Sequence, residues 1–452
     1  MSLSRLKEPA APPSSHFQNQ EQGEELLRLI GRLYPICRSL TGSGVRETLA
    51  ILQDYIPLAL HSVRSGTPVF DWTVPPEWNL RDAYIKNSSG AKVVDWRNCN
   101  LHVLSYSAPV KRTVSLSELK RHAFTLPERP DWIPYRTSYY KENWGFCLSE
   151  RQLSSLPEDD YEVVIDSSLQ PGELNYGEFF IPGRTDAEIL VSTHICHPSL
   201  ANDNLSGVAL AAFLAASLQR EPRRYSYRFL FTPGCIGTIA WLSLNEKRVD
   251  KIHHGLIVAC VGDAGKIHYK KSRRGDAEID RAVAQVLKDC DAPHEIRDFS
   301  PYGYDERQFC SPGFNLPVGC FMRTPHGEFA EYHTSADNLD FIKGECLMDS
   351  LNKCLAVFDV LENNHTYVNQ NPKCEPQLGR RGLYGSIGGD AQGKTNELAM
   401  LWVLNYSDGR NSLLDIAAKS GLSFALLETA AARLVDAGLL AAGENDAGAK
   451  LI

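Results

Sequence analysis

Residues 192–207 read S-T-H-I-C-H-P-S-L-A-N-D-N-L-S-G, and residues 331–338 read E-Y-H-T-S-A-D-N. The first stretch follows a continuous apolar run and leads into a helix of small residues, so it predicts a strand, a tight turn and a helix. The second stretch follows another apolar run at residues 316–322. Two His-bearing turns that each follow a buried strand can assemble a metal site from distant segments of an α/β protein.

The pattern around these turns is a regular alternation of strands and helices. Apolar runs predict strands at residues 188–193, 227–232, 256–261 and 316–322, and helical spacing predicts helices at residues 204–219, 237–245, 276–289 and 344–361. Strands that are apolar throughout suit a sheet covered by helices on both faces. The sequence therefore predicts a three-layer α/β/α sandwich.

Changes in residue composition and polarity pattern along the 452 residues predict further domains. Residues 66–159 are rich in Trp, Pro and Tyr with alternating polarity, which indicates a small, mostly β insert. Residues 20–65 and 160–365 then form the main domain. Residues 366–393 are Asn- and Gly-rich and are predicted to be a linker, and three short helices within residues 394–452 are typical of a winged helix-turn-helix.

The bulk composition excludes several classes of function. No apolar run approaches the roughly 20 residues that cross a bilayer, and the polar first twenty residues predict neither a signal peptide nor an anchor. Twelve cysteines without a C-x-x-C pair suggest a reduced, cytoplasmic protein. A net charge of -8 argues against nucleic acid as a partner. The expected partner is a small molecule, and self-association through the insert or the winged-helix domain is left open.

Three side chains from the two His-bearing turns form the predicted metal site. His194 follows directly on a strand, Asp203 precedes a helix, and His333 lies in the later loop, so they offer two nitrogens and one oxygen with room for water. His197 is a rival ligand, and His194 is favoured because it is nearer the strand end. Cys196 is a further candidate, although a small buried side chain is its simpler role. Asp337 is expected to orient an imidazole.

The motifs S-T-H-x-x-H-P-x-x-A-N-D-N-x-S-G and Y-H-T-x-x-D-N resemble those of the zinc aminopeptidase and glutaminyl cyclase family. The whole chain is similar, more closely, to the aminopeptidase-like proteins of polysaccharide-biosynthesis gene clusters, which carry a β insert and a C-terminal winged-helix domain. The stretches that carry this closer match are residues 33–49, 71–79 and 304–313. The resemblance implies a zinc-exopeptidase-like sandwich that hydrolyses an amide bond.

This sequence departs from that family at two metal-binding positions. The family places a Glu-Glu pair after the strand equivalent to residues 227–232, where this chain has T-P-G-C-I-G-T, and an Asp after the next strand, where it has V-A-C-V-G. The nearby Asp263 is expected to lie past the site. Losing one ligand from each of two metals predicts a single zinc ion.

A hydrolase needs a group that moves the proton of the attacking water. Glu306 is the first candidate, with Asp305 and Glu331 behind it, although an Asp-Glu-Arg triplet is commonly a solvated ion pair. Arg307 is predicted to bind a substrate carboxylate.

Aromatic and imidazole side chains near these turns are candidates for substrate contact. Tyr302, Tyr304 and Tyr332 are predicted hydroxyl donors, and aromatic packing is their alternative role. If His197 is not a ligand, it is expected to contact the substrate.

The leading hypothesis is a zinc hydrolase that cleaves an amide in a peptide or in an aminoacyl or acylamino intermediate. The missing Glu-Glu pair keeps open a catalytically degenerate fold that only binds or scaffolds. The winged-helix pattern alone suggests a DNA-binding regulator, but the predicted recognition helix carries Glu428 and a single Arg433, which suits phosphates poorly.

Overall fold

The computed structural model describes residues 15–383 and 391–443, so parts of the predicted linker and winged-helix segments lie outside the described residues. The α-helices within them are α1 Ser15–Leu33, α2 Ser43–Leu52, α3 Leu116–Arg121, α4 Glu150–Ser154, α5 Gly207–Leu218, α6 Ile236–Asn245, α7 Glu278–Asp289, α8 Glu306–Phe309, α9 Gly344–Asn363, α10 Ala391–Tyr406, α11 Leu413–Ser420 and α12 Phe424–Asp436.

The strands are β1 Ala59–Arg64, β2 Pro68–Val69, β3 Trp72–Thr73, β4 Glu77–Lys86, β5 Lys92–Asp95, β6 Val110–Ser115, β7 Ala123–Phe124, β8 Phe146–Cys147, β9 Asp160–Gln170, β10 Glu173–Ile181, β11 Glu188–His194, β12 Ser226–Thr232, β13 Ile252–Val258, β14 Ile267–Lys270, β15 His294–Arg297, β16 Val318–Met322, β17 Thr366–Asn369, β18 Asp408–Ser412 and β19 Leu440–Ala442.

A single eight-stranded sheet organises the main domain in the order β1-β10-β12-β11-β13-β16-β14-β15. Its centre, β12-β11-β13-β16, is parallel, and the outer strands are mostly antiparallel. The central strands are buried on both faces: Ile189 and Val191 join one apolar core with α1, α5, α7 and α9, whereas Leu190 joins a second core with α6 and the insert. The predicted three-layer sandwich is confirmed.

The insert is built on a four-stranded antiparallel sheet in the order β5-β4-β9-β6. Its central strand β9 pairs with β4 and β6, so the insert's sheet extends to Gln170 rather than ending at residue 159. The predicted boundary was wrong because β9 is followed directly by β10 of the main sheet, and alternating polarity does not reveal which sheet a strand joins.

Within residues 365–383 and 391–443, the C-terminal domain has three α-helices and a three-stranded sheet in the order β18-β17-β19. Its central strand β17 lies in the segment predicted as a linker, residues 366–393, so that prediction was wrong for the first four residues. A four-residue strand bounded by Asn and His gives too short a pattern to be recognised. Among the described residues, no helix is both long and apolar enough to cross a membrane.

The helix-turn-helix formed by α11 and α12 packs on α7 of the main domain. Arg281 forms an ion pair with Asp415, and the Gln285 and Lys288 side chains donate to backbone carbonyls of the turn at 3.3 Å each. The Phe424 N–H, at the start of α12, donates to Asp289 at 2.9 Å. The turn and the first residues of α12 therefore contact the main domain.

Candidate metal centre

The site begins at the carboxyl end of β11, where the sheet delivers His194. The neighbouring strands β12 and β13 pair with β11 in parallel, so their ends open at the same edge of the sheet. The Asn204 amide fixes the strand end by donating to the Thr193 hydroxyl at 2.8 Å and to the His194 carbonyl at 3.1 Å. The buried imidazole of His194 is thereby aimed into the site, with Nε2 at 3.0 Å from Asp203 Oδ1.

Asp203 lies at the centre, in an irregular helical turn at Ala201–Ser206 that precedes α5. Its carboxylate is fully buried. Oδ1 is 3.0 Å from His194 Nε2 and accepts the Tyr304 hydroxyl at 2.9 Å, and Oδ2 is 3.0 Å from His333 Nε2. Although burial acts to raise its pKa, the imidazoles of His197, His194 and His333 hold the pKa of Asp203 well below the ordinary value.

Asp337 positions the turn that carries Asp203. Its carboxylate accepts the backbone N–H of Asn202 at 2.6 Å and of Asp203 at 2.9 Å. The prediction that it orients an imidazole was wrong, because these two backbone donors occupy its oxygens. Burial raises the pKa of Asp337 to about 8. Asp263 is bonded to Asn202, Thr324 and the Gly265 N–H, so it braces the neighbouring loop instead of facing the site.

The loop that carries His333 is held by the insert. The Ile133 N–H donates to the Ser335 hydroxyl at 2.9 Å, and the Ser335 N–H donates to the Ile133 carbonyl at 2.8 Å. The Tyr135 N–H donates to the His333 carbonyl at 2.7 Å. The Tyr135 ring stands edge-on to both His197 and His333, with ring centres 5.1 Å apart in each case. The insert therefore supplies one wall of the site. Sequence reasoning missed Tyr135, whose surroundings give no motif.

Three imidazoles converge on the one carboxylate. The ligand atoms of His194, His197 and Asp203 all lie within 4.8 Å of one another, and His333 reaches the other oxygen of Asp203. The buried atoms His197 Nδ1, Asp203 Oδ2 and His333 Nε2 make no hydrogen bond of good geometry with the described residues, although Asp203 Oδ2 and His333 Nε2 lie 3.0 Å apart. Unpaired buried polar atoms are costly, so nitrogen and oxygen donors of this kind fit a divalent cation such as zinc.

His197 belongs to this cluster, although it was predicted mainly as a substrate contact. Its Nδ1 is 3.9 Å from Asp203 Oδ1, against 3.0 Å for each of the other two imidazoles. Arg38, which is buried, donates to the His197 carbonyl at 3.0 and 3.2 Å and fixes that turn. The Cys196 thiol instead lies 3.7 Å from the Gly234 carbonyl, outside the cluster.

The three predicted tyrosines lie at different depths. The Tyr304 ring stacks on His194 with centres 4.6 Å apart, and its hydroxyl contacts both Asp203 and, at 3.2 Å, the Cys260 thiol. The Tyr332 ring stacks on His333 with centres 4.0 Å apart. Tyr302 is 70% exposed at the rim.

His326, which sequence reasoning missed, packs between Tyr302 and Tyr304. Its ring centre is 5.3 Å from that of Tyr302 and 4.8 Å from that of Tyr304. Burial lowers the pKa of His326. An imidazole thus lies behind the tyrosine that bonds the central carboxylate.

The predicted acids separate into distinct environments. Glu306 is fully buried and forms an ion pair with Lys270, whose ammonium also donates to the Ser300 and Tyr302 carbonyls. Asp305 is buried beside the end of β12, and Glu331 is only half-buried. Arg307 is exposed, with Nη2 at 3.6 Å from the Cys235 sulfur. Glu306, the first candidate for the general base, is therefore held in an ion pair with Lys270.

Comparison with known proteins gives consistent matches along the chain. Residues 27–364 match the family model described as "Domain of unknown function (DUF4910)", and residues 365–442 match one described as a winged helix-turn-helix. A relative from Clostridium acetobutylicum, provisionally described as a polysaccharide biosynthesis protein with an aminopeptidase-like domain, is 55% identical over 428 residues. That match covers 94% of this chain and 98% of the relative.

Solved structures share the architecture. A crystal structure of a protein from Clostridium acetobutylicum, provisionally described as a peptidase, matches with a TM-score of 0.90 at 54% identity over 94% of this chain and 98% of that chain. A zinc aminopeptidase from Bacillus subtilis matches with a TM-score of 0.55 at 12% identity, covering 75% and 95%. A peptidase M28 precursor from Shewanella amazonensis gives 0.53 at 14% identity, covering 77% and 98%. The predicted aminopeptidase-like fold with a C-terminal winged helix is confirmed.

Proposed function

The chain belongs to the family described as "Domain of unknown function (DUF4910)", and from that premise we propose that it is a zinc-dependent hydrolase of the aminopeptidase-like type. The proposed substrate is an amide in a peptide or in an aminoacyl or acylamino biosynthetic intermediate. The observation that carries the proposal is the buried carboxylate of Asp203, which has imidazole nitrogens at 3.0 Å on both of its oxygens.

One zinc ion is proposed, held by His194, Asp203 and His333. These two imidazoles are chosen over His197 because their nitrogens approach Asp203 more closely, by 0.9 Å (3.9 against 3.0 Å). When bound, zinc supplies Lewis-acid polarisation of a carbonyl oxygen and of water. A single ion is proposed because the stretches T-P-G-C-I-G-T at residues 232–238 and V-A-C-V-G at residues 258–262 hold none of the carboxylates with which the resembled family binds a second ion.

The remaining side chains have roles in binding. Tyr304 donates to Asp203 at 2.9 Å, which orients that carboxylate. Tyr332, which stacks on His333, and the exposed Tyr302 are proposed as donors to the substrate, with His197 as a further contact. Arg307, exposed at the rim, suits a substrate carboxylate because its planar fork can bind both oxygens. The twelve cysteines, all free, are consistent with a proposed cytoplasmic location.

The proposal is tested by measuring zinc content and amide hydrolysis together. Protein prepared without chelator should hold one zinc per chain and release amine from a panel of aminoacyl and N-acyl substrates. His333→Ala should weaken zinc binding and abolish turnover. His253→Ala is the matched control, because His253 is exposed at the start of β13 and should leave both unchanged. Absence of zinc, or full amidase activity in His333→Ala, contradicts the proposal.

A degenerate fold that binds without turnover is the second candidate, and the missing Glu-Glu pair is the observation in its favour. It predicts saturable binding of the same substrates with no product. DNA binding has less support. Helix-turn-helix proteins insert the start of the second helix into the major groove, but here the turn and the start of α12 contact α7. A gel shift at low salt should therefore show no complex.

A further inference from the structure

The end of β12 leaves a space beside His194. The strand ends at Thr232, and the following Gly234 has no side chain. A Cβ atom at Gly234 would lie 3.0 Å from the His194 Cβ and 3.4 and 3.5 Å from the two carboxylate oxygens of Asp305. The surroundings that a side chain at Gly234 would meet therefore include an acid from another part of the chain.

Asp305 reaches this space from the turn before α8. Its side chain is 1% exposed, and neither oxygen makes a hydrogen bond of good geometry with the described residues. The Cys235 thiol and the Thr238 hydroxyl are its polar neighbours, and the Thr238 hydroxyl is already bonded to the Thr232 hydroxyl at 2.9 Å. An unpaired buried carboxyl group is destabilising, and such groups are found where function requires them.

The neighbouring charged side chains leave the Asp305 carboxyl group without an ion-pair partner. The Lys270 ammonium is paired with Glu306, and Arg307 extends to the surface. Burial raises the pKa of Asp305 and outweighs the opposing effect of His194. A carboxyl group whose pKa is raised is a better proton acceptor than an ordinary one. Asp203, the proposed metal ligand, is equally buried.

We propose that Asp305 is the acid–base residue of the site, in place of the glutamate that β12 lacks. This assignment rests on the proposed hydrolase function. The water oxygen bonds to the amide carbonyl carbon while one water proton passes to the Asp305 carboxylate. The carbon–nitrogen bond then breaks as Asp305 returns that proton to the leaving nitrogen, which regenerates the carboxylate. Proton transfer through one further water is compatible with the buried position.

Asp305→Asn tests the assignment, because the amide keeps the shape and cannot accept the proton. We expect kcat to fall by about 10²- to 10⁴-fold, the usual contribution of a general acid–base group. KM and the zinc dissociation constant, measured by competition with a chelator, should stay at wild-type values. The thermal midpoint should be unchanged or higher, because the variant removes an unpaired buried carboxyl group.

Asp186→Asn is the matched control. Asp186 precedes β11, at the end of the strand opposite His194, and its exposed carboxylate pairs with Lys251 at 3.0 Å, so its side chain should be dispensable for catalysis. Wild-type kcat in Asp305→Asn overturns the assignment, and so does a loss of zinc affinity in parallel with activity, which would make Asp305 a support of the metal donors. Absence of turnover by the wild-type protein instead refutes the proposed function itself. A collapse of the thermal midpoint in Asp305→Asn also overturns the assignment, because the carboxyl group is then needed for the fold.

Discussion

Replacing Glu306 with glutamine should destabilise the protein without impairing catalysis. The Glu306 carboxylate is fully buried and pairs with the Lys270 ammonium, which is also buried. Glutamine removes the opposing charge and leaves that ammonium with neutral acceptors, which are the amide oxygen and the Ser300 and Tyr302 carbonyls at 3.2 and 2.8 Å. Breaking a buried pair from one side costs about 3–5 kcal/mol, and the remaining neutral acceptors place the expected loss at about 3 kcal/mol.

The measurement is the free energy of unfolding in urea for Glu306→Gln, Lys270→Met and the double variant. The double variant should recover most of the loss, because methionine in place of Lys270 removes the buried charge that Glu306→Gln leaves unpaired. The rate of zinc-dependent amide hydrolysis by Glu306→Gln should remain within about threefold of wild type. That limit corresponds to a change of about 0.7 kcal/mol in the activation free energy. Unchanged stability together with a thousandfold fall in kcat would refute the structural role and restore Glu306 as the base.

Two further changes have measurable effects away from the site. Burial lowers the pKa of His254 to about 3, so below pH 6.5 the unfolded chain binds a proton that the folded chain excludes. His254→Phe should therefore lessen the loss of unfolding free energy between pH 7 and pH 5 by about 2 kcal/mol, and an unaltered pH dependence counts against a neutral buried imidazole. Asp289→Ala should speed amide exchange in the first turn of α12 and cost about 1 kcal/mol, because it removes the acceptor of the Phe424 N–H; unchanged exchange contradicts the docking of that turn.

The sandwich was predictable because its central strands carry a signal that is independent of context. β11 and β12 are buried along their whole length and carry mostly apolar residues at their centres, and the predicted positions agree within a residue or two. The insert's outer boundary and β17 were not predictable. Which sheet a short strand joins depends on contacts far along the chain.

The candidate site divides in the same way. His194, Asp203 and His333 lie next to strand ends or turns with distinctive motifs, and the structure brings them together. Tyr135 and His326 reach the site only through the packing of the insert and of the loop after β16, for which the sequence has no local pattern.

Asp305 and Glu306 show the limit of sequence reasoning most clearly. The sequence alone does not distinguish the roles of these two adjacent acidic residues. In the structure, the turn into α8 directs Asp305 towards Gly234 and Glu306 towards Lys270. A sequence can nominate both, but the choice follows from which partner each side chain meets.

X-ray absorption at the zinc edge, combined with anomalous scattering from crystals, tests the central claim most directly. The account predicts one zinc per chain, bound by nitrogen from His194 and His333 and by oxygen from Asp203, with at least one position held by water. A site without zinc, two zinc ions per chain, or a fourth protein donor such as His197 closing the coordination sphere would contradict it.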